Sequence, residues 1–260
     1  MDRYERLSTL LDLLGRRGRV DVDVLAGELA VSAATIRRDL DHLAGQQLLT
    51  RTRGGAVAGN VSYDLPLRYR TARHAREKER IGAGAAALVT RGSVVGLNGG
   101  TTTTEVARAL AVLPEARGAG EPALTVVTNA LNIASELAVR PHVKIVVTGG
   151  VARTASFELS GPLAGRVLDD ITMDVVFLGV DAVDPVRGAH AHHEGEAAVN
   201  RLMAERARRV VVVADSSKLC GHAFARICPV SGIDTLMTDT DAPPGTVTAF
   251  EAEGVTVQLF

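Results

Sequence analysis

The sequence predicts two units in series: a small three-helix unit carrying a β wing, then a larger α/β domain built on a mainly parallel sheet. Three observations carry this reading. Val31 to Leu43 (VSAATIRRDLDHL) spaces its apolar residues as a helix does and carries an arginine pair; LLTRTRGGAV follows, alternating apolar with basic residues before two glycines. From Ile81 onward, short apolar runs (VVGL, LTVVT, KIVVTG, VVFLG, VVVVA) alternate with glycine-bearing loops and helical stretches. Strand and helix alternating at this spacing favour parallel strands with helices between them.

Arg3 to Arg16 places Leu7, Leu10, Leu11 and Leu14 at helical spacing, so a first helix is expected to bury a leucine face and to stop at Gly15 and Gly18. Val22 to Ala30 (VDVLAGELA) gives a second, short amphipathic helix, and Val31-Ser32 leaves only a tight turn before the third. Ser32 sits where an N-cap belongs, because its hydroxyl can accept from a free N–H of the first turn. Ile36, Leu40 and Leu43 make one apolar face, which leaves Thr35, Arg37, Arg38 and His42 pointing elsewhere. The wing then carries Arg51 and Arg53. This is the pattern of a winged helix-turn-helix, whose second helix enters the major groove. Arginine suits such a face because its planar fork meets guanine O6 and N7, or a phosphate, with two hydrogen bonds. Ser32, Thr35, Arg37, Arg38, His42, Arg51 and Arg53 are therefore the expected DNA contacts; for any one of them alone, an ordinary solvated face is the alternative.

At 260 residues and 46% hydrophobic composition the chain can fill real cores, and its formal net charge of -1 gives no overall pull toward nucleic acid. Residues 1–57 carry nine Arg/Lys against eight Asp/Glu, residues 58–80 six against three, and the remainder fourteen against nineteen. Any DNA contact must come from local clustering. The expected boundaries are a DNA-binding unit over 1–57, a linker over 58–75 and the α/β domain over 76–260. Pro66 bars a continuous helix in the linker, and LRYRTARHAREKER reads as leading into a solvated helix.

Within the α/β domain, polar motifs follow the apolar strands. Asn98, Gly99, Gly100, Thr101, Thr102 and Thr103 combine glycines with hydroxyls and N–H groups at a helix N-terminus, which favours an anion such as phosphate. The loop lacks the Gly-Lys-Ser/Thr ending of a Walker motif, and a plain strand-to-helix turn is the alternative. Thr128 and Asn129, Gly149 and Gly150 with Arg153, Asp181, and Lys218 also follow strands, so one sheet edge is expected to gather them. Asp181 can accept from sugar hydroxyls, and Arg153 and Lys218 can pair with a phosphate.

Cys220 and Cys228 have neither CxxC spacing nor a secretory context and read as reduced thiols. His190, His192 and His193, with His222, invite a metal reading, but no ligand spacing supports one; no metal, cofactor or catalytic residue is assigned. No apolar run reaches about 18 residues, and the N-terminus is charged and amphipathic, so no membrane partner and a cytoplasmic location are expected.

VSAATIRRDLDHL with LLTRTRGGAV resembles the N-terminal module of the DeoR family of bacterial transcriptional regulators. The second domain resembles that family's C-terminal sensor: LNGGTTT its LDxGTT loop, VVTNALNIASEL its TN segment, VTGGVAR its GG-R loop, and ADSSKL its DSSK motif. The resemblance implies a sensor fold akin to ribose-5-phosphate isomerase, a phosphorylated sugar or related metabolite as effector, a homo-oligomer (dimer or tetramer), and a repressor released from operator DNA when the effector binds. It also implies a basic helix at the entrance to the second domain. Two departures stand out. The family's loop Asp is Asn98 here, and AHAHHE follows Gly188 where the family has a Thr-Thr pair and then an acidic residue, so the effector's identity stays open. The alternatives are a sugar-phosphate isomerase with an attached DNA-binding domain, and a constitutive DNA binder whose pocket has decayed.

Overall fold

A computed structural model describes residues 3–46, 48–58, 71, 73–113 and 122–260. The chain divides into two compact units, Met1–Arg73 and His74–Phe260. Most of the linker expected over 58–75, namely residues 59–70 and 72, lies outside the described residues.

In the first unit, α1 (Arg3–Arg17) runs through Gly15, past the expected stop. It ends at Gly18, whose φ of +68° a glycine adopts without cost and whose N–H bonds the Leu14 carbonyl at 2.8 Å. β1 (Arg19–Asp21) leads into α2 (Val22–Glu28), which is capped by the Asp21 carboxylate accepting from the Asp23 N–H. α3 (Ala33–Gly45) starts at Ser32, whose Oγ accepts from the Thr35 N–H at 3.1 Å. β2 (Leu49–Thr52) and β3 (Gly55–Ala58) form the wing, and β1 pairs with β3, so the wing sheet has one strand more than the sequence announces. A side chain on Gly55 would put its Cβ 2.0 Å from the Val20 carbonyl oxygen, which is why glycine is needed where β1 and β3 meet.

Leu7, Leu10, Leu14, Leu25, Ile36, Leu40 and Leu43 are wholly buried between the three helices and the wing. Burying each contributes about 1.5 to 3 kcal/mol, the main term available to so small a unit. One polar group shares that core. Asp39, 3% exposed, accepts from Arg6 Nε at 2.6 Å and ties α3 to α1.

The second unit opens with α4 (Ala75–Ala86), which corrects the expected solvated helix. Only its first half lies in the charged run; Lys78, Ile81, Gly82, Ala85 and Ala86 recur at helical spacing and are buried. Strands and helices then alternate: β4 (Val94–Leu97), α5 (Thr101–Ala111), β5 (Leu124–Thr128), α6 (Leu131–Leu137) and β6 (Val143–Val147). A short hairpin, β7 (Val151–Ala152) and β8 (Leu159–Ser160), precedes α7 (Pro162–Asp169) and β9 (Val175–Leu178). β10 (Ala182–Asp184) and β11 (Gly188–Ala191) are followed by α8 (Glu194–Glu205), β12 (Val210–Val213), β13 (Ala225–Cys228), β14 (Thr235–Thr238), α9 (Pro244–Ala252) and β15 (Thr256–Leu259).

Seven strands form one sheet in the order β15-β14-β12-β9-β4-β5-β6, parallel at every pairing. Alternate residues feed two cores: Val176, Leu178 and Val212 pack with Leu168, Met203 and Phe250, while Val175, Phe177, Val211 and Val213 pack with Ile81, Val106, Leu110 and Ile133. Burial on both faces explains the unbroken apolar runs. From β4 the chain builds outward to β6, then returns to place β9 on the other side of β4. The β4/β9 boundary is the topological switch point, where such sheets open a crevice beyond their carboxyl ends. A smaller antiparallel sheet, β10-β11-β13, stands apart from the large one. Both cysteines are free thiols, and among the described residues no helix is long and apolar enough to cross a membrane.

Candidate functional site

The first candidate surface is the outer face of α3 with the wing. Ile36, Leu40 and Leu43, all fully buried, fix the helix, and Arg37, Arg38 and His42 are exposed on its other side. Ser32 and Thr35 are already engaged with each other, Oγ to Oγ1 at 2.9 Å, and His42 Nε2 meets Gln46 Nε2 at 3.0 Å. The two wing arginines differ. Arg51 Nε donates to Asp41 Oδ1 at 2.7 Å and its Nη1 to the Gly55 carbonyl, so it ties the wing to α3. Arg53 is exposed, and among the described residues neither it nor Arg37 nor Arg38 makes an ion pair. The sequence reading passed over Asp39, although a signal was present: with Ile36, Leu40 and Leu43 it completes the i, i+3, i+4, i+7 stripe that faces the core.

The second candidate is the carboxyl edge of the parallel sheet, to which β4, β5, β6, β9 and β12 bring the predicted motifs. Asn98, 1% exposed, does not present its amide to the crevice. Its Nδ2 donates to the Gly179 carbonyl at 2.9 Å and its Oδ1 accepts from the Gly179 N–H at 2.7 Å, which laces the ends of β4 and β9 together. An ionised aspartate cannot donate the first of these bonds. α5 begins at Gly100 with no side-chain cap, leaving the N–H groups of its first turn, Thr101, Thr102 and Thr103, without a side-chain acceptor. The hydroxyls of Thr103 and Thr104 turn back to the Gly100 carbonyl at 3.1 and 2.6 Å.

Thr128 Oγ1 accepts from the Ala130 N–H at 3.1 Å and shapes the turn out of β5. Asn129 is fully buried; its Nδ2 lies 3.1 Å from Glu158 Oε2 and 3.2 Å from Asn200 Oδ1, and its own Oδ1 has no partner. Gly149 and Gly150 carry the chain from β6 into the β7–β8 hairpin, which holds Arg153 with its Nη1 3.1 Å from Glu196 Oε1. Asp181 Oδ2 accepts from the His192 N–H at 2.8 Å. Lys218, half-buried, ends a short helix (Ser216–Lys218) capped by Asp215. Burial pushes the Asp215 carboxyl up, but the Ser217 hydrogen bond and the charges of Lys78, Lys218 and His74 outweigh it and hold the group below its ordinary range.

Three residues that the sequence reading did not single out, Glu158, Glu196 and Asn200, complete this edge. Glu158, 6% exposed, lies against Gly99: a Cβ there would sit 2.2 Å from Glu158 Cγ, so only glycine fits. Its Oε2 accepts from Asn129 and from Asn200 Nδ2 at 3.3 Å. Burial, with the nearby charges of Glu196 and Asp181, raises its carboxyl to about 8 against the lowering effect of the two amides. Glu196 Oε1 accepts from Arg153 and from Ser156 Oγ at 2.5 Å. Glu196 and Asn200 left a trace in the sequence, since they fall at i and i+4 on the face of α8 that also buries Met203. Glu158 left none. It reaches the site through a hairpin whose partners are 29 and 42 residues away in sequence.

His190, His193 and His222 have local partners. His190 Nδ1 meets the Gly188 carbonyl, His193 Nδ1 accepts from the Glu196 N–H at 3.4 Å to cap α8, and His222 contacts Arg187. Among the described residues no group of three or more His, Cys, Asp or Glu is placed to hold a metal ion. The edge as a whole is bipolar. Arg153, Lys218 and the start of α5 carry donors of the kind suited to an anion, whereas Asp181 and the buried Glu158 and Glu196 bring carboxyl groups.

The comparisons agree with both halves. The DeoR-like helix-turn-helix domain matches residues 6–60, and the DeoR C terminal sensor domain matches residues 73–240. The glycerol-3-phosphate regulon repressor of Escherichia coli (strain K12) is 31% identical over 244 residues, covering 94% of this chain and 93% of its own length. The transcriptional repressor GlcR of Bacillus subtilis (strain 168) is 31% identical over 242 residues, covering 92% and 89%. Among solved structures, ribose 5-phosphate isomerase A from Neisseria gonorrhoeae aligns at 16% identity and a TM-score of 0.40, over 56% of this chain and 53% of its own. Matched by the family's two domain models over residues 6–60 and 73–240, the chain belongs to the DeoR family of transcriptional regulators.

Proposed function

We propose that this regulator is a homo-oligomeric, cytoplasmic repressor of carbohydrate-metabolism genes, released from its operator when a phosphorylated sugar fills the crevice at the carboxyl edge of the sheet. What supports the effector assignment is that Arg153, Lys218 and the uncapped start of α5 each follow a strand of the one parallel sheet, and so belong to its carboxyl side. Named regulators with this architecture, a glycerol-3-phosphate regulon repressor among them, lend support. The DNA-binding unit spans 1–57 and the sensor 76–260, joined by a linker over 58–75. Arg37, Arg38 and Arg53 meet bases and phosphates, while Ser32, Thr35, His42 and Arg51 hold them in register. Asn98 and Gly99 shape the crevice; the N–H groups at Thr101 to Thr103, with Arg153 and Lys218, hold the phosphate, and Asp181 takes sugar hydroxyls. Release requires that the effector bind a DNA-incompetent arrangement more tightly than the DNA-bound one. The protein binds its effector without converting it.

The test is to map the native genomic fragments the protein binds, footprint the strongest, and challenge that complex with a panel of sugar phosphates. Two matched half-sites and release by a panel member are expected. Turnover of the releasing compound would favour an isomerase; DNA binding indifferent to the whole panel would favour a constitutive binder.

A further inference from the structure

Glu158 is buried where a ligand-binding crevice should end, and it is held by neutral amides rather than by a cation. Its Oε2 accepts from Asn129 Nδ2 (3.1 Å) and Asn200 Nδ2 (3.3 Å), and its stem lies on Gly99, the residue that leads into the first turn of α5. The hairpin that inserts it is pinned on several sides. The Phe157 carbonyl accepts from the Leu131 N–H, the Asn129 carbonyl from the Leu159 N–H, and Phe157 itself sits at φ +62°, a conformation that side chains other than glycine's rarely adopt. Such strain persists only where the surroundings fix it.

The charged and titratable groups around Glu158 come from four elements. The β7–β8 hairpin contributes Arg153, whose guanidinium binds Glu196; α8 contributes Glu196, with His193 at its cap; the loop after β9 contributes Asp181, which accepts from the His192 backbone; the turn out of β5 contributes only the neutral Asn129. Three carboxyl groups, those of Glu158, Glu196 and Asp181, thus lie close enough to repel one another. Crowding of this kind disfavours the ionised form of the most buried member.

Building on the effector reading, we propose that Glu158 is a specificity-determining residue of this crevice: as the uncharged acid, it donates its O–H to an oxygen of the sugar, selecting polyhydroxy phosphates over inorganic phosphate. An ionised Glu158 can only accept and would stand as a third negative charge beside an anionic ligand. The direction of its ionisation agrees, since burial and Glu196 carry it to about 8. Ligand affinity should therefore fall about tenfold between pH 7 and pH 9, because the donor is lost. A sugar phosphate, whose second pKa is about 6, is already mostly dianionic at pH 7.

The test compares the full-length protein with Glu158→Gln, whose amide keeps a donor and an acceptor but cannot ionise. Glucose 6-phosphate, fructose 6-phosphate, glycerol 3-phosphate and inorganic phosphate are titrated calorimetrically at pH 7 and pH 9. The parent should prefer a polyol phosphate over inorganic phosphate and lose about tenfold in affinity at pH 9; Glu158→Gln should stay within about threefold of the parent at pH 7 and show no loss at pH 9. Equal pH dependence in both proteins, or abolished binding in Glu158→Gln at pH 7, would overturn the proposal. A parent that binds none of the four would instead count against the effector reading. The Glu158 proposal is then read from the 13C carboxyl resonance of Glu158 in the unliganded protein, which should titrate above pH 7; titration near pH 4.5 would refute it.

Discussion

The outer face of α3 and the carboxyl edge of the sheet are built on opposite plans. On α3, the residues that hold the fold and those proposed to read DNA alternate along one short stretch but point to opposite sides. Ile36, Asp39, Leu40 and Leu43 go inward; Arg37 and Arg38 are exposed and make no ion pair among the described residues. At the sheet edge, buried polar groups are spent on holding the edge together, as Asn98 does for Gly179 and Asn129 for Glu158. Function can be removed from the first surface without touching stability. In the second, most changes touch both, and even Lys218 lends its charge to holding the Asp215 carboxyl below its ordinary range.

The largest expected effect breaks the rule on the DNA-binding unit itself. Asp39 directly follows the arginine pair of a helix proposed to read DNA, yet it is buried against Arg6. Asp39→Ala leaves that guanidinium without its buried partner and should cost about 3 kcal/mol, the low end for a broken buried pair because the Arg6 side chain keeps 13% exposure. Chemical denaturation of the 1–57 unit within the full chain should show its transition moving to lower denaturant while the sensor's stays. An unchanged first transition would place Asp39 among the surface residues.

Next in size are Arg37→Ala and Arg38→Ala, each expected to weaken operator binding by about 1 to 3 kcal/mol. The variant that loses a base contact should blur one operator position; the one that loses a phosphate contact should weaken all sequences alike and flatten the salt dependence. Neither should shift the unfolding midpoint. Two variants that bind as tightly as the parent would remove α3 as the recognition helix.

The same contrast explains what was legible in the sequence. The winged unit is local: its helices, cap and turn are set by residues a few positions apart, so VSAATIRRDLDHL displays its faces directly. β1 was missed because three residues pairing across 34 to 38 positions leave no periodicity. In the sensor domain the strands were legible as apolar runs, and their order places the five expected motifs at one edge. What sequence reasoning could not supply is the partner of each group. Asn98, expected to face a ligand, spends both polar atoms on Gly179; Arg51, expected on DNA, is tied to Asp41; and Glu158 arrives from a hairpin far along the chain. Asp39, Glu196 and Asn200 were discoverable, because a polar residue on an apolar helical stripe signals a buried, paired group.

Lys218→Ala tests most directly whether the crevice at the carboxyl edge governs release from DNA. The parent and the variant are bound to the same operator fragment, and the phosphosugar that releases the parent is titrated into both. Removing the Lys218 ammonium takes away a charge-assisted bond worth about 1.5 to 3 kcal/mol, so the variant should bind the operator with unchanged affinity but need roughly ten to a hundred times more effector for release. Release curves that superimpose would contradict the account.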